Sequence, residues 1–271
     1  RMKRVAFRVA SAPEVGGGHI FRCLAIADAV KAMGNTVLFF VDSIADELVG
    51  RIRLAGYKVG EDNAELRQNI MKKWDTIVID SYQLSQKDLQ FWCSKGLNSL
   101  VFDDYDNGCN FCTTRIVAKP YLSTNHNNGR ILFGPDFIPL GANFRKHASV
   151  RFGPVKEVLF MFGLRDSVGA TLLALEVWQE ILNQLPTIKL SCVIGSTCPS
   201  LKEIRKSVEG IGGRILIDHK NISQLLVEFD MAVGGGGLGL YERACSGLVN
   251  IATPIADNQK PLCHWLAING G

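Results

Sequence analysis

A chain of 271 residues, 47% hydrophobic and 21% charged, has enough apolar side chain for one large core or two of about 130 residues each. Its net charge of +4 comes with no concentrated basic tract, which argues against a nucleic-acid partner and suits a small anionic ligand. No apolar run approaches a membrane span, no signal-peptide core opens the chain, and its eight cysteines are scattered, so a cytoplasmic protein with reduced thiols is expected.

The first predicted element is a strand at 5–9. It runs into Gly16, Gly17 and Gly18, then His19, Ile20, Phe21 and Arg22, and apolar residues then recur at helical spacing as far as the stop at Gly34. Strand, glycine turn and helix bring bare backbone N–H groups and a helix N-terminus to one point, a place for a phosphate or other anion. His19 falls in the first helical turn. A dinucleotide fingerprint would start at Gly16 and Gly18, with Asp42 as its ribose acid, but Phe21 stands where the third glycine belongs. Cys109 and Cys112 form a single C-x-x-C pair with no second pair nearby, so no metal is expected.

Strands and helices then alternate. Strand 36–41 precedes a helix beginning near Ser43, a short strand at 56–59 and a polar helix at 64–73. Strand 76–80, helix 85–95 and strand 99–104 follow. Apolar runs ending in acids read as buried parallel strands with the acids at their carboxyl ends, where open α/β sheets bind ligands. Asp80, Ser81, Tyr82, Asp103 and Asp104 are therefore expected near His19, although strand-end acids serve equally well to cap the next helices. From 108 to about 149 the alternation fails, apart from a short strand within 129–136.

A second alternating series occupies 157–162, 170–184, 188–194, 200–208, 214–217, 222–228, 231–233, 240–246 and 249–252. The expected architecture is α/β, two Rossmann-like doubly wound domains, 1–149 and 150–271, facing across a cleft. In the second domain Gly234, Gly235, Gly236 and Gly237 again follow a strand and precede a helix, which lets backbone N–H groups approach a diphosphate. Glu242, placed in that helix's first turn, suits the two hydroxyls of a ribose, or simply the positive end of the helix. Asp257, Asn258 and Gln259 lie in a loop at the ligand edge, where their side chains suit sugar or phosphate.

In order along the chain, these motifs carry a resemblance: Gly16-Gly17-Gly18-His19 with Arg22-Cys23-Leu24-Ala25, Asp80-Ser81-Tyr82, Phe102-Asp103-Asp104, Gly134-Pro135, the glycine run with Glu242, and Asp257-Asn258-Gln259. Together they resemble the UDP-sugar hydrolases of pseudaminic acid biosynthesis, which are similar to the GT-B glycosyltransferases, notably the one that makes lipid II. The resemblance spans nearly the whole chain. It implies a GT-B-like fold and hydrolysis of UDP-2,4-diacetamido-2,4,6-trideoxy-β-L-altropyranose, or a similar sugar nucleotide, at the anomeric carbon with inversion.

Residue by residue, the resemblance makes His19 the catalytic base. It puts Gly17, Gly18, Arg22, Tyr82 and Asn258 on the sugar side, and Gly163, Gly235, Gly236, Gly237, Glu242 and Gln259 around UDP. A histidine at a helix N-terminus is biased toward the neutral form a base requires. The implied protein needs no cofactor, binds UDP-sugar and UDP, and is a monomer. The chain departs from the family pattern at Ala10, where an acid is usual, and at Leu164-Arg165 in Gly163-Leu164-Arg165-Asp166. A further strand and helices are implied after Gly271, which reads as a truncation or a short relative, and Arg1 before Met2 reads as a tag remnant. A UDP-sugar glycosyltransferase and a non-catalytic nucleotide-sugar binder stay open beside the hydrolase.

Overall fold

The computed structural model describes residues 1–12, 17–46, 48–70, 74–105, 109–122, 130–149 and 152–269. The chain divides into two compact units, Arg1–Gly141 and Ala142–Gly271. Among the described residues, no helix is long and apolar enough to cross a membrane.

The first unit contains β1 (Arg4–Val9), α1 (Gly18–Ala32), β2 (Thr36–Val41), α2 (Val49–Leu54), β3 (Lys58–Glu61) and α3 (Ala64–Asn69). It continues with β4 (Trp74–Asp80), α4 (Gln86–Cys93), β5 (Gly96–Phe102), β6 (Thr114–Val117) and β7 (Arg130–Phe133). Its sheet has seven strands in the order β3-β2-β1-β4-β5-β6-β7. The pairings are parallel. Alternation within the apolar strands fills both faces. Val5, Phe7 and Val9 enter one buried cluster with Ile20 and Cys23 of α1. Ala6 and the β4 residues Ile77 and Ile79 enter another with Trp92 of α4.

The second unit contains α5 (Ala142–Lys146), β8 (Glu157–Met161), α6 (Ala170–Gln184), β9 (Lys189–Ile194), α7 (Leu201–Gly210), β10 (Arg214–Ile217) and α8 (Ile222–Leu225). It ends with β11 (Met231–Gly235), α9 (Leu238–Cys245), β12 (Val249–Thr253) and α10 (Lys260–Asn269). Five parallel strands run β10-β9-β8-β11-β12. Both sheets therefore start out from their first strand in one direction and resume on its other side. That reversal, at β1/β4 and at β8/β11, is where doubly wound sheets hold ligands.

The short strand expected within 129–136 is β7, but the same interval also contributes β6 to the first sheet; β6 escaped notice because Arg115 interrupts its short apolar run. The compact units divide between Gly141 and Ala142, and α5 packs on α8 and α9 of the second unit. The helix expected from near Ser43 is regular only from Val49.

Candidate active site

The first cluster forms at the β1/β4 reversal. Val9 and Asp80 are register partners at the ends of those strands, so Asp80 lies beside the point where β1 leads into α1. Gly17 precedes α1, and a Cβ there would come within 2.9 Å of the Phe21 ring. Gly16 lies outside the described residues. Gly18 opens α1 and His19 follows it, only 4% exposed. The His19 Nδ1 is 2.5 Å from Asp80 Oδ1.

Arg22 is three residues beyond His19 and so projects from the same helix face. Its Nε donates to Asp80 Oδ2 at 2.5 Å and its Nη2 to Asp80 Oδ1 at 2.5 Å, while Nη1 donates to Asp104 Oδ2 at 2.8 Å. The guanidinium also covers the Phe102 ring at 4.2 Å. Arg22, expected on the sugar side, is buried between two carboxylates. The Tyr82 hydroxyl donates to the same Asp104 oxygen, and its ring meets His19 edge-on at 4.4 Å between centroids.

Burial, the largest influence on Asp80, opposes its ionisation, but Arg22 and His19 outweigh it and hold the carboxyl well below the usual range. Asp104 is also lowered, against its burial, by Arg22 and Lys119. Burial first and Asp104 second push Tyr82 far above an ordinary phenol, so it stays protonated. Asp103 accepts from Arg115 Nη1 at 2.8 Å. Both strand-end acids thus bind arginines, and the capping alternative is set aside for them. Asp42, weighed as a ribose acid, accepts from Arg8 at 2.5 Å and from the Ser11 backbone at 2.8 Å.

The second cluster lies at the β8/β11 reversal. Gly163 has φ +107°, a left-handed conformation that favours glycine. Past Leu164-Arg165, the Asp166 carboxylate accepts from Ala170 N at 2.9 Å and Thr171 N at 2.8 Å, capping α6. The glycine run is demanded by packing: a Cβ on Gly234 would stand 2.0 Å from Met161 O, one on Gly235 2.9 Å from Ile255 Cδ1, and one on Gly236 2.4 Å from Cys263 Sγ. Gln259 Oε1 accepts from Gly236 N at 2.9 Å and Ile255 N at 3.1 Å, which braces the loop. Gly237 precedes α9 with no side-chain cap.

Sequence reasoning assigned no role to Arg243, which is fully buried and donates to Gly235 O at 2.9 Å and Asn250 Oδ1 at 2.9 Å. Its one sequence signal is a charged residue directly behind a glycine run that leaves room for it. Glu242 is corrected from the first to the second turn, because α9 begins at Leu238. Burial pushes its carboxyl up to about 7 against the pull of Arg243. Asn258 lies on the single 3-10 turn Asp257–Gln259 that leads into α10, partly buried. Among the described residues, no group of three or more His, Cys, Asp or Glu side chains is placed to hold a metal ion.

Chemically, the first cluster is an imidazole with its orientation set. An ionised Asp80 beside Nδ1 requires the proton there, which leaves the Nε2 lone pair to accept another. The second cluster presents a glycine turn at a helix N-terminus with a carboxyl behind it. Two Rossmann units of this order, one bearing the histidine and the other the glycine turn, have the GT-B fold.

No family model matches the chain. It is 24% identical, over 98% of its own length and 97% of the relative's, to the UDP-2,4-diacetamido-2,4,6-trideoxy-β-L-altropyranose hydrolase of Campylobacter jejuni. Among solved structures it is similar to Acinetobacter baumannii MurG, with a TM-score of 0.63 at 12% identity, covering 99% of this chain and 83% of that one. It is also similar to TcCGT1 in complex with UDP, with a TM-score of 0.66 at 10% identity, covering 100% and 85%.

Proposed function

We propose that the protein hydrolyses a UDP-linked deoxy amino sugar of the UDP-2,4-diacetamido-2,4,6-trideoxy-β-L-altropyranose kind, releasing UDP and the free sugar for pseudaminic acid synthesis. The contact between His19 Nδ1 and Asp80 carries this reading. His19 Nε2 takes a proton from water as its oxygen attacks the anomeric carbon, and the Asp80 carboxylate steadies the imidazolium that forms. The C–O bond to the diphosphate breaks on the opposite face, so the anomeric centre inverts. A diphosphate is a weakly basic leaving group and needs no protonation to depart. Its charge is met at the N-terminus of α9 beyond Gly237, Gly235 and Gly236 keep the approach clear of side chains with Gly163 nearby, and Glu242 takes the ribose hydroxyls. Tyr82 and Asn258 face the sugar. Identity to the Campylobacter hydrolase along nearly the whole chain supports the choice of substrate.

A second reading keeps the base and the nucleotide site but replaces water with an acceptor hydroxyl; the similarity in fold to a Rickettsia africae glycosyltransferase favours it (TM-score 0.57). Incubation with a panel of UDP-sugars, assayed for released UDP, separates the cases. Release in buffer alone supports hydrolysis, release only with an added acceptor supports transfer, and binding without release leaves a nucleotide-sugar binder.

A further inference from the structure

We propose that Asp104 is a positioning residue for His19, holding the imidazole by two separate arms. This deepens the reading of His19 as a base and rests on it. The first arm is polar: Asp104 Oδ2 accepts from Arg22 Nη1 at 2.8 Å, Arg22 grips both oxygens of Asp80 at 2.5 Å, and Asp80 Oδ1 meets His19 Nδ1 at 2.5 Å. The second arm is aromatic: the Tyr82 hydroxyl donates to the same Asp104 oxygen, and the Tyr82 ring abuts the His19 ring edge-on at 4.4 Å. The contacts close a loop that runs His19, Asp80, Arg22, Asp104, Tyr82 and back to His19.

A single carboxylate thus fixes an in-plane hydrogen bond and an edge contact on one imidazole, and these two constraints together leave the ring one orientation. Neither arm holds without Asp104. Arg22 alone can pivot about Asp80, and a Tyr82 with no acceptor is free to turn away from His19. Asp104 is 5% exposed, and its Oδ1 is buried with no hydrogen-bond partner among the described residues. A carboxylate so enclosed is costly to keep, and Arg22 and Tyr82 both converge on its other oxygen. It follows β5, whereas Asp80 ends β4 and His19 lies in the first turn of α1 beyond β1, so the loop ties together three neighbouring strand ends of one sheet.

The test is a set of substitutions read by kinetics and by ¹⁵N NMR of the His19 ring in the ligand-free protein. Asp104→Ala is expected to lower kcat on the order of 10–100-fold with KM within about twofold, the signature of a misaligned base. Asp104→Asn, whose amide oxygen still accepts from Arg22 and Tyr82, is expected to recover part of that loss. Tyr82→Phe, which cuts one arm, is expected to fall between wild type and Asp104→Ala. The wild-type ring is expected as a single Nδ1–H tautomer, and Asp104→Ala as a mixture. Should Asp104→Ala fail to fold, Asp104→Asn and Tyr82→Phe carry the same comparison. Wild-type kcat and an unchanged His19 tautomer in these variants would overturn the proposal. If the wild type turns over no UDP-sugar, the hydrolase reading fails by itself, and the NMR arm still decides the role of Asp104.

Discussion

His19 Nδ1 stands 2.5 Å from Asp80 Oδ1, which leaves Nε2 as the nitrogen for the proposed proton transfer. His19→Ala is therefore expected to reduce turnover by about 10²–10⁴, the range for losing a general base. UDP affinity measured by calorimetry should stay near wild type, since the groups proposed to hold the nucleotide belong to the second unit. A variant that turns over at the wild-type rate rules out His19 as the base.

Asp80→Asn keeps the shape and removes the charge that selects the tautomer. Turnover is expected to fall by about 10²–10⁴, with KM little changed. Stability gives an independent readout. The Asp80 carboxyl is held below its ordinary value in the folded protein, against burial and chiefly by Arg22. Its contribution is therefore fully present above the usual carboxylate range and is lost as pH falls from that range toward the carboxyl's own lowered value. Urea midpoints should drop as pH falls below about 5 in the wild type and drop less in Asp80→Asn. Parallel curves would remove Asp80 from the acid sensitivity.

Glu242 lies near neutrality, raised by burial to about 7 from an ordinary 4.5. Because the unfolded chain ionises first, the stability owed to a neutral Glu242 is present in acid and falls as pH climbs through that interval. The ribose recognition proposed for the carboxylate works in the opposite sense. UDP affinity should rise from pH 6 to 8 more steeply in wild type than in Glu242→Gln, and the difference isolates Glu242 because UDP's own titration is common to both. At pH 8 the loss of charge-assisted bonds in Glu242→Gln should cost roughly 1.5–3 kcal/mol of binding. Equal affinities would make Glu242 a bystander on α9.

The glycine turn tests the packing account. A Cβ on Gly236 would meet Cys263 Sγ at 2.4 Å. Gly236→Ala is expected to destabilise by about 1–3 kcal/mol, and adding Cys263→Ala should recover most of it by removing the sulfur. Thermal melts decide the matter: an unshifted melt for Gly236→Ala would mean that the loop yields freely.

The bond that breaks is open to isotope labelling. Attack at carbon places ¹⁸O from water in the free sugar and none in UDP, and turnover should persist with a chelator present. Label in the UDP phosphate would move the attack to phosphorus.

Much of this was legible along the chain. Apolar runs such as the one ending at Asp80 mark parallel strands buried on both faces, and glycines before helices mark two turns at helix N-termini, because backbone propensity and side-chain period are local. What the sequence by itself determined was therefore the α/β class, two units, and His19 at a helix start. Helix α9 was read to begin late because Leu238 lies between glycines, and β6 was hidden by Arg115, whose partner Asp103 is invisible to a period count. Only the tertiary structure decided that Asp80 and Arg22, 58 residues apart, and Arg22 and Asp104, 82 apart, meet on one histidine. Those contacts follow from the order β1-β4-β5, which brings three chain-distant strand ends to the same edge. Strand order is fixed by which apolar faces pack together over the whole sheet, and no local pattern encodes it.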